Sequence, residues 1–352
     1  MEQSILSLLI FLPVLGAIIM LPVNKYLGSD KIKWTALITT GVQLLLTGWL
    51  YFNFDPSLSV SESPFTLNIE WIKHFNIFYY VGVDGLSMPM VLLTAFLSFI
   101  CIISSWKIDK KPLGYFSLFL LLDAGMMGVF LSLDFFLFYI FWEVMLLPMY
   151  FLIGMWGGPQ REYAAIKFFL YTLFGSVLML VGILGLYFSC GKTFNILELM
   201  EIAPTTLGTL KWWGFSAIKV IWVLLFIGFA IKVPVFPFHT WLPLAHVEAP
   251  TAISVLLAGI LLKLGVYGIL RVNYGLMPDG VYWFSAALAF LGLINVIWGG
   301  LCALAQTDLK KLVAYSSVNH MGYSLIGMAA VIAASEANGA NLKAAQAGLG
   351  GA

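Results

Sequence analysis

The sequence predicts an all-α polytopic membrane protein, on three observations. Of its 352 residues, 61% are hydrophobic and only 10% charged, against about 25% charged in a soluble globular domain. Apolar runs of roughly 20 residues, enough to cross a bilayer, recur between short polar links. Three charged side chains, Glu143, Lys232 and Lys263, nevertheless sit near the middle of such runs, where each costs about 2.5–3.5 kcal/mol on insertion scales. Charge kept at that depth points to paired, titratable groups, and so to movement of protons or cations. The net charge of +1 gives no basic field for nucleic acid. Cys101, Cys190 and Cys302 lie singly, form no Cys-x-x-Cys, and read as small apolar side chains.

About ten spans are expected, near residues 3–22, 34–53, 83–105, 113–132, 135–156, 162–189, 217–233, 250–271, 282–304 and 310–334. The first is preceded by Glu2 and by no Lys or Arg, and no small-x-small cleavage site precedes Lys25. It reads as a retained helix, not a signal peptide. The link 54–80 is longer and amphipathic, with Glu62, Glu70 and Lys73. Asp84, before Gly85, opens the third span as an N-cap. The fourth span carries Asp123 beside the small-xxx-small pair Ala124 and Gly128. Asp123 is either a second acid near Glu143 or a structural hydrogen-bond acceptor.

The fifth span reads Phe141-Trp142-Glu143-Val144-Met145-Leu146-Leu147-Pro148-Met149-Tyr150. Pro148 has no N–H and clashes with the Val144 carbonyl, which bends the helix one turn beyond Glu143. A carboxylate beside freed carbonyls suits water or a cation; the alternative is a protonated Glu bonded to a neighbouring helix. Lys167, early in the sixth span, is placed to snorkel or to join the Glu143 cluster. Within the link 190–215, the polar stretch Asn195 to Glu201 is expected along the surface.

The seventh span leads through Lys232-Val233-Pro234-Val235-Phe236-Pro237-Phe238-His239-Thr240-Trp241-Leu242-Pro243. Pro234 drives Val233 out of the helical region, and Pro237 and Pro243 block its resumption. A helix broken at depth must be buried in protein or line a wet cavity, and its C-terminal carbonyls favour a cation. Glu143 is the natural counter-ion of Lys232; the alternative is that Lys232 snorkels. Lys263 lies too deep in the eighth span for easy snorkelling. A buried lysine can be tuned to exchange a proton near neutrality, which an arginine cannot. His320 lies inside the tenth span, either as a proton carrier or as a hydrogen-bonded interface residue. His239 and His246 flank Pro243 with no acid or Cys to complete a metal set, and no redox centre is visible.

Lysine and arginine concentrate in the loops after spans 1, 3, 5 and 9, which puts those loops on the cytoplasmic or equivalent side. Residues 335–352 are rich in Gly and Ala and read as a non-membrane tail leading toward more protein.

The Phe141–Tyr150 and Lys232–Pro243 segments, with Ala245-His246-Val247-Glu248-Ala249-Pro250-Thr251, Gly82-Val83-Asp84-Gly85-Leu86-Ser87 and Asp308-Leu309-Lys310-Lys311-Leu312-Val313-Ala314-Tyr315-Ser316-Ser317, carry a resemblance. They resemble the antiporter-like subunits of respiratory NADH:quinone oxidoreductase (complex I), in particular the chain M or chain 4 branch. The resemblance implies fourteen helices with two inverted five-helix repeats, each holding one discontinuous helix. Here residues 1–112 would form the N-terminal helices with an external loop. Residues 113–271 would form the first repeat, with helix 7 broken, and 272–334 the start of the second. Helices 11–14 would be missing. It also implies that Glu143 sets the pKa of Lys232 and that protons pass on to Lys263 and His320; Asp123, Lys167 and His239 stand beside these as accessory candidates from the sequence itself. It implies no cofactor in this chain: NADH, FMN, Fe–S clusters and quinone belong to partner subunits. The partners would be other membrane-arm subunits and the lipid bilayer, in a bacterial plasma membrane or, alternatively, a mitochondrial inner membrane. Rival expectations are a subunit of a multi-chain Na+/H+ antiporter or membrane-bound hydrogenase, and a non-transporting structural subunit.

Overall fold

The computed structural model describes residues 4–28, 30–212 and 214–337. Fourteen α-helices run in chain order: α1 Ile5–Leu27, α2 Asp30–Asn53, α3 Ser87–Ser104, α4 Pro112–Leu131, α5 Phe135–Val144, α6 Leu146–Trp156 and α7 Arg161–Ser189, then α8 Ile196–Thr209, α9 Ala217–Lys232, α10 Trp241–Glu248, α11 Thr251–Leu256, α12 Leu262–Gly268, α13 Pro278–Leu304 and α14 Leu309–Ala337. Short antiparallel strands β1 Leu67–Ile72 and β2 Ile77–Val81 pair after α2, and β3 Lys211–Trp212 pairs with β4 Phe215–Ser216 before α9.

Among the described residues, eight helical spans are long and apolar enough to cross a membrane. α5 with α6 makes one of them (Phe135–Trp156), and α11 with α12 another (Thr251–Tyr274). α9 falls short because it has only 16 residues, about 24 Å at 1.5 Å per residue, against a hydrocarbon core of about 30 Å. It stops where Pro234 was expected to stop it. α14 carries Ser316, Ser317, Asn319 and His320 near its middle, which lowers its hydropathy.

Several local expectations are refined. The span 135–156 is interrupted at Met145, one residue beyond α5, where Pro148 withdraws a donor and crowds the Val144 carbonyl. The third span starts at Ser87, because Asp84 Oδ1 accepts from the N–H groups of Leu86 and Ser87 at 3.2 and 2.9 Å and holds the preceding turn open. The link 54–80 contains the β1–β2 hairpin, turned through Asn76 in the left-handed region (φ 51°). Within 190–215 the chain forms helix α8, which buries Ile196, Leu199, Ala203 and Leu207 at helical spacing. The tail expected over 335–352 falls, from residue 338 onward, outside the described residues.

The chain divides into two compact units. The first comprises Met1–Phe169, Thr193–Leu197 and Glu248–Leu261. In it α1 packs on α2 and α4, and α2 on α3. The link between α4 and α5 is tied down on both sides. Gly82 N donates to Leu131 O and Leu133 N to Tyr80 O, both at 2.9 Å; on the other side Phe135 N donates to Phe194 O at 2.8 Å and Ile196 N to Leu133 O at 2.9 Å. Asp134 joins the pieces: its carboxylate accepts from Phe136 N and Leu137 N as an N-cap, and from Phe78 N of the hairpin. Glu248 plays a similar part at the start of α7, where Gly158 N donates to its carbonyl and Gln160 N to Oε2, each at 2.9 Å.

The second unit comprises Leu170–Lys192, Glu198–Val247 and Leu262–Ala352. Its helix pairs are α9 with α12 and with α13, and α13 with α14, the most extensive.

Candidate functional site

Lys232 ends α9 and is 1% exposed. At that burial its amine does not reach a surface, and the snorkelling alternative is not what the fold shows. The sequence explains the local geometry. α9 closes with Val233 N donating to Phe229 O at 2.9 Å and Val235 N reaching back to Ala230 O at 2.8 Å. Pro234 and Pro237 have no N–H to continue the ladder. Three residues later Phe238 N donates to Val235 O at 2.7 Å and opens a tight turn, Phe238–Thr240, which feeds α10. An unwound stretch inside a span leaves carbonyls that must find partners. Trp241 Nε1 donates to Ile231 O at 2.8 Å, satisfying the carbonyl just before Lys232. Asn295 of α13 serves the far side of the break: its Oδ1 accepts from Phe236 N at 2.7 Å, and its Nδ2 donates to Pro234 O at 3.2 Å.

Lys263 stands on α12 and is half-buried. α12 meets α9 where α12 has no side chain. A Cβ on Gly265 would lie 2.7 Å from Val233 Cγ2 and 2.8 Å from Phe229 O. The helix bearing Lys263 therefore packs directly on the last turn of the helix bearing Lys232. α12 lies between π turns, Leu257–Leu261 and Ile269–Tyr274. Such turns widen the helix locally, loosen its backbone bonding, and concentrate at functional sites. The two lysines thus belong to adjacent helices, each irregular next to its amine.

His239 is buried just past the break, its ring stacked on Phe236 at 5.5 Å. His320 lies on an exposed face of α14 and follows Asn319, whose Nδ2 donates to Val296 O at 2.7 Å. In the first unit, Glu143 sits in the last turn of α5, immediately before the interruption at Met145. α4 approaches it closely: a Cβ on Gly125 would lie 2.6 Å from Met145 Cγ and 3.4 Å from Phe141 O. Asp123 is fully buried on α4 and its Oδ1 accepts from Ser98 Oγ of α3 at 2.6 Å, which gives the structural alternative for this acid a concrete partner. Lys167 is half-buried, with Nζ 6.0 Å from the ring centroid of Tyr163 one turn earlier on α7. Among the described residues, no group of three or more His, Cys, Asp or Glu is placed to hold a metal ion.

Lys232, Lys263 and His239 thus fall within one unit, in or beside the broken helix, while Glu143, Asp123 and Lys167 fall within the other. Sequence reasoning did not single out Asn295, Trp241 as a hydrogen-bond donor, or Glu248 as a cap. Asn295 had a usable signal: it is a lone amide in an otherwise apolar run from Leu288 to Leu301, and a polar side chain at that depth needs a partner.

Comparison with known proteins is consistent across sequence and structure. The family model described as NADH:quinone oxidoreductase/Mrp antiporter, TM matches residues 132–342. NADH-quinone oxidoreductase subunit M of Rickettsia prowazekii is 42% identical over 331 residues, covering 93% of this chain and 65% of the relative. Its counterpart in Rhodobacter capsulatus is also 42% identical, with 93% and 64% covered. The chain therefore spans under two thirds of the length of these relatives. Among solved structures, respiratory complex I from Thermus thermophilus contains a chain that matches with a TM-score of 0.78 at 26% identity, covering 98% of this chain and 70% of that one. The Mrp complex from Dietzia shares the fold, with a TM-score of 0.75 at 22% identity over 94% of this chain and 34% of that one.

Proposed function

Because the chain belongs to the NADH:quinone oxidoreductase/Mrp antiporter transmembrane family, we propose that it is a proton-translocating membrane-arm subunit of an NADH:quinone oxidoreductase. Redox chemistry takes place in partner subunits, which hold NADH, FMN, Fe–S clusters and quinone. This chain moves protons in response. The relatives at about 42% identity are named for quinone oxidoreductases, which favours this over an antiporter or hydrogenase subunit. Their bacterial sources favour the plasma membrane.

The observation that carries the proposal is Lys232: a buried amine at the end of a span that breaks at Pro234, with another lysine on the helix packed against it. An amine in a low-dielectric interior is easily tipped between charged and neutral forms by small changes in nearby charge or water. Lys232 takes up a proton when a negative charge is near and passes it on when that charge is compensated. Lys263 is the next acceptor, His320 the next after that, and Glu143 is the acid of the same relay. α12, which bears Lys263, lies between two π turns, a backbone irregularity that concentrates at functional sites.

The test uses membranes in which the complete complex carries Lys232→Ala or Glu143→Ala. Both variants are expected to assemble and reduce quinone, with proton movement slowed about 100-fold or more, the usual loss when a proton-transfer group is removed. Normal assembly with normal proton movement would make the chain a structural subunit. Sodium-stimulated transport without quinone chemistry would make it an antiporter subunit.

A further inference from the structure

The break after Lys232 has two backbone groups whose partner lies far along the chain, on another helix. Val233 and Val235 donate back into α9, and Pro234 and Pro237 have no N–H. The two groups are the Phe236 N–H and the Pro234 carbonyl. Asn295 takes both, at 2.7 and 3.2 Å, and is itself 0% exposed. The orientation of its amide is fixed by chemistry, since only the oxygen can accept from an N–H and only the nitrogen can donate to a carbonyl.

α13 is held in turn by α14. Asn319 Nδ2 donates to Val296 O at 2.7 Å, the residue after Asn295. The two backbones meet at glycines: a Cβ on Gly299 would lie 2.8 Å from Asn319 N, and a Cβ on Gly322 would lie 2.8 Å from Val296 N. Two amide side chains, each bonded to backbone, therefore lead in a row from the residue beside His320 to the turn beside Lys232.

We propose that Asn295 is the positioning residue for Lys232, fixing the unwound turn that follows it, and that Asn319 ties that turn to the helix of His320. This rests on the proton-transfer reading above. Neither asparagine exchanges a proton. Each sets the place of a group that does. A shift of α14 reaches the Lys232 turn through Val296 and Asn295, and a shift of the turn reaches α14 by the same bonds.

The experiment places Asn295→Ala, Asn319→Ala, their combination, and Lys232→Ala in the complete membrane complex. Three quantities are read: quinone reduction driven by NADH, protons moved per NADH oxidised, and amide hydrogen exchange at Phe236. Asn295→Ala is expected to retain quinone reduction, to speed exchange at Phe236 about tenfold or more, and to lower the proton yield per NADH by roughly twofold or more. Asn319→Ala acts in the same direction but less, and adds nothing on top of Asn295→Ala. A merely structural role would lower reduction and translocation together and leave their ratio unchanged, which overturns the proposal. If Asn295→Ala does not assemble, Asn319→Ala decides by the same readouts, because its side chain bonds to Val296 O of α13 and not to the break. An unchanged ratio in both asparagine variants, with translocation lost in Lys232→Ala, overturns the positioning role alone. Normal translocation in Lys232→Ala overturns the proton-transfer reading and this proposal with it.

Discussion

Asp123 and Lys232 are both ionisable side chains deep in apolar helices, yet their surroundings differ. Asp123 has a hydroxyl donor at 2.6 Å, Ser98 Oγ, and sits in a continuous stretch of α4. Lys232 sits where its helix ends. On the proposed function, that contrast marks Asp123 as a fixed acceptor and Lys232 as the proton carrier. Asp123→Asn keeps an oxygen for Ser98 and is expected to leave proton translocation intact. Ser98→Ala strips a buried acceptor of its donor and costs about 1–3 kcal/mol of stability, measurable as a lowered thermal midpoint of the solubilised protein. Loss of translocation in an assembled Asp123→Asn variant would instead place this acid in the relay.

At the scale of elements, the packing of α12 on α9 brings the two lysine helices together. Gly265 meets Val233 and Phe229 with no room for a methyl group. Gly265→Ala is expected to force the helices apart at a cost of about 1–3 kcal/mol, as overpacked interiors do; an unchanged thermal midpoint would show that the contact yields freely. The spans themselves were legible because bilayer crossing imposes a length and a composition that few other structures share. The break after Lys232 was legible because proline chemistry is local, and so was the interruption near Pro148. The hairpin was not. Leu67, Ile69 and Trp71 alternate as a strand would, but the strand is short and Ile69 and Trp71 are themselves exposed, so no buried apolar face sets it apart from its link. α8 was masked by Pro204 within it, although its buried residues keep helical spacing. Asn295 escaped because its partners lie about sixty residues away in sequence, at Pro234 and Phe236; a lone amide says that a partner exists, not which one.

At the scale of the whole molecule, each unit contains a helix that stops at or next to an ionisable side chain. In the first unit α5 stops just after Glu143, and in the second α9 stops at Lys232. Irregular backbone inside a membrane carries a cost in unsatisfied hydrogen bonds, and here it is met by side chains from other helices: Trp241 and Asn295 at the second break. A protein that only filled space in a bilayer would need neither the breaks nor the charges. The proposed function has the amines next to a broken helix carry protons, and Lys263 tests it most directly, because it stands on α12, outside the broken helix itself. The decisive measurement is the number of protons moved per NADH oxidised by sealed vesicles whose complex carries Lys263→Ala. A ratio well below that of the unaltered complex, with quinone reduction driven by NADH retained, is the predicted result; an unaltered ratio would contradict it.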